Sequence, residues 1–112
     1  MYAIVFDLDT EMLAAHYPNP SWQNGYDDIC RVFDEFGFSR QQGSVYFARR
    51  DTITPVDCVL AVQEVTARHP WFRVAIRDIR MLRIEENNDL MPAVGGYGEL
   101  PLTNGSGIAA AD

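Results

Sequence analysis

Phe38-Ser39-Arg40-Gln41-Gln42-Gly43-Ser44-Val45-Tyr46-Phe47-Ala48-Arg49 is the stretch on which the fold turns. Val45, Tyr46 and Phe47 are strand formers that follow a polar run, and Gly43 interrupts the segment in the manner of a bulge or bend. Read so, it is one long bent strand or two short ones. If it supplies a hairpin, the whole chain takes the order βαββαβ.

The flanks supply the other elements. Tyr2 to Leu8 sets Tyr2, Ile4, Phe6 and Leu8 against Ala3 and Val5, apolar on both faces, which predicts a central strand. Thr10 to Asn19 shows no periodicity and reads as a connection. Pro20 stands where a first helical residue could, with Asn19 as its cap, and Trp22, Tyr26, Ile29, Phe33 and Phe36 then recur at spacings of four and three up to Gly37. Gly25 is the weak point of that helix. Thr54, Pro55 and Asp57 open a second helix, carried by Val56, Val59, Leu60, Val62 and Val65 to about Arg68 and stopped by His69-Pro70. Ile76 to Ile84 is apolar on both faces and is expected at an inner sheet position. Leu90 to Val94 is expected to add one more short element.

The expected architecture is an α+β, ferredoxin-like βαββαβ sandwich, with two helices on one face of a mainly antiparallel sheet. The other sheet face is left uncovered, and a second copy is the economical cover, so a sheet-mediated homodimer is expected. The chain divides into one domain over residues 1–94 and a tail over 95–112. That tail holds five of the eight glycines and reads as flexible or partner-dependent.

The chain has 112 residues, 47% of them hydrophobic and 22% charged, which suits a single domain with a core of its own. The longest apolar runs fall far short of the ~20 residues of a membrane helix, so no membrane partner and a cytoplasmic location are expected. Cys30 and Cys58 share no ligand-like spacing with His16 or His69, and read as reduced, mostly buried thiols.

A net charge of −7 argues against nucleic acid until it is mapped along the chain. Residues 1–38 hold Arg31 among seven acids, and 84–112 hold five acids and no base. The middle carries Arg40, Arg49, Arg50, Arg68, Arg73, Arg77, Arg80 and Arg83 against Asp51, Asp57, Glu64 and Asp78. Lysine is absent from the sequence. A guanidinium suits a bidentate phosphate contact, and it equally suits a structural ion pair, so charge alone leaves both open.

Two motifs carry chemistry. Ile4-Val5-Phe6-Asp7-Leu8-Asp9-Thr10 resembles the Asp-x-Asp opening of the haloacid dehalogenase-like phosphatases, where the first aspartate attacks phosphorus beside magnesium. That family also needs a larger parallel sheet and later motifs that this chain lacks, so a small phosphatase ranks third.

The second resemblance covers residues 1 to about 86. Met1-Tyr2-Ala3-Ile4-Val5-Phe6-Asp7-Leu8, Gly37-Phe38-Ser39-Arg40-Gln41-Gln42-Gly43-Ser44-Val45-Tyr46, Pro70-Trp71-Phe72, Arg77-Asp78-Ile79-Arg80 and Arg83-Ile84-Glu85 together resemble the virulence-associated protein D (VapD) family. The resemblance implies a small ferredoxin-like homodimer that acts as an endoribonuclease on single-stranded or loop RNA. It further implies a toxin held by a small antitoxin protein, and kinship with the small CRISPR-adaptation nuclease-like protein. It assigns Asp7 as catalytic base or as ligand of a divalent cation such as Mg2+, without fixing whether a cation is required. Two copies of Asp7 at the mouth of a twofold groove would favour such a cation.

Arg40 and Arg80 then become the phosphate clamp, Gln42 and Ser44 polar contacts, and Tyr46 a stacking platform for an unpaired base. Structural roles stand beside each of these. Asp7 could form a turn, Tyr46 could be core, Ser44 could pair across the sheet, and Arg80 could be held by Asp78. A non-catalytic nucleic-acid or protein binding module of the same fold is the alternative reading.

Overall fold

The computed structural model describes residues 1–95; the expected flexible or partner-dependent tail lies, apart from Gly95, outside the described residues. Four strands and four helices follow one another as β1 (Tyr2–Leu8), α1 (Thr10–His16), α2 (Asn24–Glu35), β2 (Phe38–Gln42), β3 (Val45–Ala48), α3 (Pro55–Arg68), α4 (Pro70–Ala75) and β4 (Ile76–Arg83). A single 3-10 turn, Met91–Ala93, falls in the stretch expected to hold a short element. The sheet runs β2-β3-β1-β4, and every neighbouring pair is antiparallel. This is an α+β fold with ferredoxin-like order, and β1 is central as its two apolar faces require.

The segment that decides the topology is a hairpin. Phe38–Gln42 and Val45–Ala48 pair antiparallel with a turn at Gly43 and Ser44, and the irregularity falls between Arg40 and Gln42 rather than at Gly43. Gln41 is therefore the extra residue, which lets Phe38 face the core while Gln42 faces outward.

Three expectations need correction. Thr10 to His16 is a helix and not a plain connection: Oδ1 of Asp9 accepts from the backbone N–H of Glu11 at 3.0 Å and of Met12 at 3.1 Å, and Leu13 is its one buried anchor. Seven residues with one apolar contact show no period, which is why the pattern hides it. The second correction concerns α2, which begins at Asn24 rather than Pro20. Asn19 Oδ1 accepts from Ser21 N at 2.8 Å, and turns closed by Ser21, Trp22 and Gln23 carbonyls carry the chain to the helix. Third, β4 lies at an edge, not inside. Its apolar residues do sit on both faces, but only Ile76 and Ile79 are half-buried, and Met81 and Leu82 are 46% and 45% exposed. His69-Pro70 ends α3 as expected, and Pro70 then opens α4 from the first helical position.

The core lies between the helices and the even-numbered side of β1. Ile4, Phe6 and Leu8 meet Ile29, Val32 and Phe33 of α2 and Ala61 and Val65 of α3. Phe33 stands edge-on to Tyr46 at 4.8 Å, and Phe6 stacks on the same ring at 6.0 Å. Burying an aromatic side chain of this kind stabilises the fold by roughly 1.5–3 kcal/mol. Gly25 is where α1, α2 and α4 approach: a Cβ there would lie 3.2 Å from both Leu13 Cδ1 and Trp71 Cη2. Gly37 ends α2 with φ +93°, the left-handed conformation, and leads directly into β2.

Surface ion pairs tie the helices to one another. Arg68 of α3 donates to both oxygens of Glu35 at 2.6 and 2.9 Å and to Glu64 at 2.6 Å, which holds the Glu35 carboxyl below its usual range. Tyr17 donates to Asp28 Oδ2 at 2.6 Å; burial and then that hydrogen bond raise its phenol to about 12.

Candidate active site

Strand alternation decides what faces away from the helices. With Ile4, Phe6 and Leu8 turned inward, Ala3, Val5 and Asp7 face the opposite side, where Asp7 is exposed. The register extends that face across all four strands. Gln42 pairs with Val45, Val45 with Val5 and Val5 with Arg80, forming one row. The next position toward the C-terminal end of β1 brings Asp7 opposite Asp78. Cα atoms so paired lie ~4.5–5.5 Å apart.

Arg80 donates from Nε to both oxygens of Asp78, at 3.0 and 3.1 Å, and keeps its two terminal nitrogens. Among the described residues, Asp7 makes no side-chain hydrogen bond or ion pair. An exposed carboxylate without a partner, beside a second one steadied by arginine, can accept a proton from a bound hydroxyl. Alternatively, the pair can supply donors to a hard cation such as Mg2+, which commonly takes one or two carboxylates and completes its shell with water and substrate phosphate.

The residues singled out from the sequence divide between two faces. Asp7, Arg80 and Gln42 share the open face. Ser44 lies half-buried in the hairpin turn, and its carbonyl accepts from Phe6 N at 3.1 Å, which fixes the turn beside the end of β1. Arg40 is paired with Tyr46 on the helix side, donating to Gly43 O and to Asp27 of α2, both at 3.3 Å.

Tyr46 is fully buried among Phe6 and Phe33, so its ring offers no free face to a base and its surroundings are those of a core residue. Its hydroxyl has no hydrogen-bond partner among the described residues; burial first, then the neighbouring Cys30 thiol, pushes the phenol up. Asp9, the second acid of the Asp-x-Asp motif, is occupied as the cap of α1, and the sheet is antiparallel rather than the parallel sheet of the phosphatases.

Asp78 is the residue that sequence reading undervalued. The sequence alone shows it only as a holder for Arg80; the register that sets Val5 opposite Arg80 runs on unbroken to set Asp7 opposite Asp78, before the irregularity at Leu8. Simple alternation along Ile76 to Arg83 places Asp78 on the same face as Arg80 but does not say which residue of β1 it meets.

Among the described residues, no helix is long and apolar enough to cross a membrane, and no group of three or more metal-ligating side chains occurs. No protein-family model matches the chain, but individual proteins do. It is 48% identical over 94 residues to Endoribonuclease VapD 2 of Riemerella anatipestifer, an alignment covering 84% of this chain and 99% of that protein. A VapD endoribonuclease homolog of Helicobacter pylori is 50% identical over 94 residues, covering 84% and 96% of the two chains. A further Helicobacter pylori protein, Endoribonuclease VapD, is 33% identical over 96 residues, covering 84% and 98%. With relatives matched almost end to end at this identity, the chain belongs to the VapD family.

Proposed function

We propose that the protein is an endoribonuclease that cuts single-stranded or loop RNA as a homodimer in the cytoplasm, as the toxin of a toxin–antitoxin pair. One observation carries the catalytic part: Asp7 is exposed, without a partner among the described residues, and set opposite Asp78 at the end of the central strand. The names of the relatives supply the reaction class.

RNA cleavage needs a base for the attacking hydroxyl, cations for the non-bridging phosphate oxygens, and in-line placement of the nucleophile. Asp7 takes the proton from a 2′-hydroxyl or from water. Arg80 offers its terminal nitrogens to the phosphate, with Gln42 farther along the same face and Ser44 in the adjoining turn. Where a divalent cation such as Mg2+ takes part, Asp7 and Asp78 are its donors, and it would supply charge neutralisation at the phosphate.

The dimer is supported by the apolar residues of that face, Val5, Val45 and Phe47, half-buried, and by Leu82, nearly half exposed. The antitoxin rests on the family resemblance. Incubating purified protein with a quenched fluorescent single-stranded RNA, with and without chelator, tests the activity. Cutting should disappear in Asp7→Ala while far-UV circular dichroism and oligomeric state are kept. A folded Asp7→Ala protein that still cuts removes Asp7 from the mechanism, and stable RNA binding by the wild type without turnover replaces the nuclease by a binding module. Scattering that shows a monomer removes the dimer, and failure of any co-expressed small neighbour-encoded protein to block cutting removes the antitoxin.

A further inference from the structure

The positive charge available at the Asp7 end of the sheet is less than the sequence suggests. Arg40 is engaged by Asp27 and by the Gly43 carbonyl on the helix side. Arg80 is engaged by Asp78. Asp7, Asp78 and Arg80 together leave one net negative charge where an anionic phosphodiester has to approach, so Arg80 alone does not balance the site.

Arg77 is placed to supply it. On β1, Asp7 and Leu8 are consecutive, whereas their partners on β4 are Asp78 and Ile76. Arg77 is therefore the extra residue of a β-bulge directly beside the carboxylate pair. The bulge has a packing cause: it lets Ile76 pair with Leu8 and Ile79 pair with Phe6, so that both isoleucines turn to the core with two polar residues, Arg77 and Asp78, between them. Strict alternation would bring Ile79 and Arg77 to the same face; the inserted residue instead leaves Arg77 exposed.

Among the described residues Arg77 has no ion-pair or hydrogen-bonded side-chain partner. Its chain neighbour Asp78 faces Asp7 across ~5 Å of sheet, well within the reach of an arginine side chain. Arg73 is also unpaired among the described residues but belongs to the helix layer, and Arg50 follows β3 at the end of that strand away from Asp7.

We infer that Arg77, expelled from the strand pairing by the bulge, binds the RNA phosphate at Asp7 alongside Arg80. The inference rests on the nuclease reading and adds a second phosphate contact to that of Arg80. A phosphate-binding arginine acts on every RNA sequence alike and contributes to the salt dependence of binding. Arg83→Ala is the matched control, since Arg83 has the same charge on the same strand but lies opposite Tyr2 at the far end.

Affinity for a short single-stranded RNA, by fluorescence anisotropy across a salt series, and kcat/KM for its cleavage should both be measured for wild type, Arg77→Ala, Arg77→Lys and Arg83→Ala. Arg77→Ala should lose about tenfold in affinity at low salt and about 0.7 in the slope of log K against log salt, with Arg77→Lys restoring most of the slope and Arg83→Ala matching wild type. A folded Arg77→Ala protein with wild-type affinity and slope overturns the inference, as does an equal loss in Arg83→Ala or a wild type that binds no RNA. If the wild type binds but never cuts, the nuclease reading falls, while a shallower slope in Arg77→Ala still supports the phosphate contact.

Discussion

Replacing Asp7 by asparagine should make the protein more stable while abolishing cleavage. Asp7 and Asp78 are directly opposed across two antiparallel strands, and like charges so placed are destabilising. At ~5 Å in a water-like medium, their repulsion is about 0.8 kcal/mol. Arg80 offsets part of the Asp78 charge, so about 0.5 kcal/mol is the gain to expect from neutralising Asp7. For a domain of this size that corresponds to a melting midpoint higher by about 2–4 °C at low ionic strength.

Differential scanning calorimetry at ~10 mM and 1 M NaCl measures it, because the Debye length shrinks to ~3 Å in the second condition and the gain should vanish. In an Asp78→Asn background, Asp7→Asn should add nothing, which isolates the pair. Asp78→Asn alone should gain less, since it also breaks the Arg80 pair. A midpoint that falls in Asp7→Asn, or a gain that survives high salt, would refute repulsion as the cause and point to a structural role for Asp7.

Gly37→Ala should cost about 2 kcal/mol, read as a lower urea midpoint. The backbone there is left-handed at φ +93°, and a Cβ would lie 2.7 Å from Ile53 Cδ1. Tyr46→Phe should stabilise the fold by about 1 kcal/mol and leave cutting intact, since it removes a buried hydroxyl that lacks a partner among the described residues; lost cutting in a folded Tyr46→Phe would return Tyr46 to the site. Tyrosinate absorbance in native protein should show Tyr17 titrating near 12 against an ordinary 10.0. Its folded value is raised, so its contribution to stability is complete below about 10 and is lost as the pH climbs toward 12. Tyr17→Phe should flatten that alkaline decline.

Most of the layer architecture was legible because it is written in apolar side chains. The β1 alternation, the Ile29–Phe33 stripe and the Thr54-Pro55-Asp57 start of α3 each repeat a signal over several residues, and α3 does carry a capping box between Thr54 and Asp57. What was missed depended on single contacts. One aspartate cap and one leucine hold α1, and the early turns of α2 depend on the Asn19 side chain. The two faces of β4 looked covered because an edge strand can carry apolar residues without burying them. At the site, Asp7 could be named from the sequence and its exposure follows from alternation. Its neighbours could not, since the β1–β4 pairing register determines which side chain faces it, and neither strand's own pattern states that register.

The outermost strand has a further consequence. β4 ends the described sheet with an unpaired row of amides and carbonyls, and it bears Arg77, Asp78, Arg80 and Arg83 among its eight residues. Charge at a free sheet margin discourages other chains from adding to it and growing into aggregates. The arginines are thus under two demands at once, and a substitution tolerated by enzymatic assay could still lower the yield of soluble protein. Exchanging Arg83 for valine would expose that second duty on its own, as turbidity on heating, without touching the chemistry at the other end of the strand.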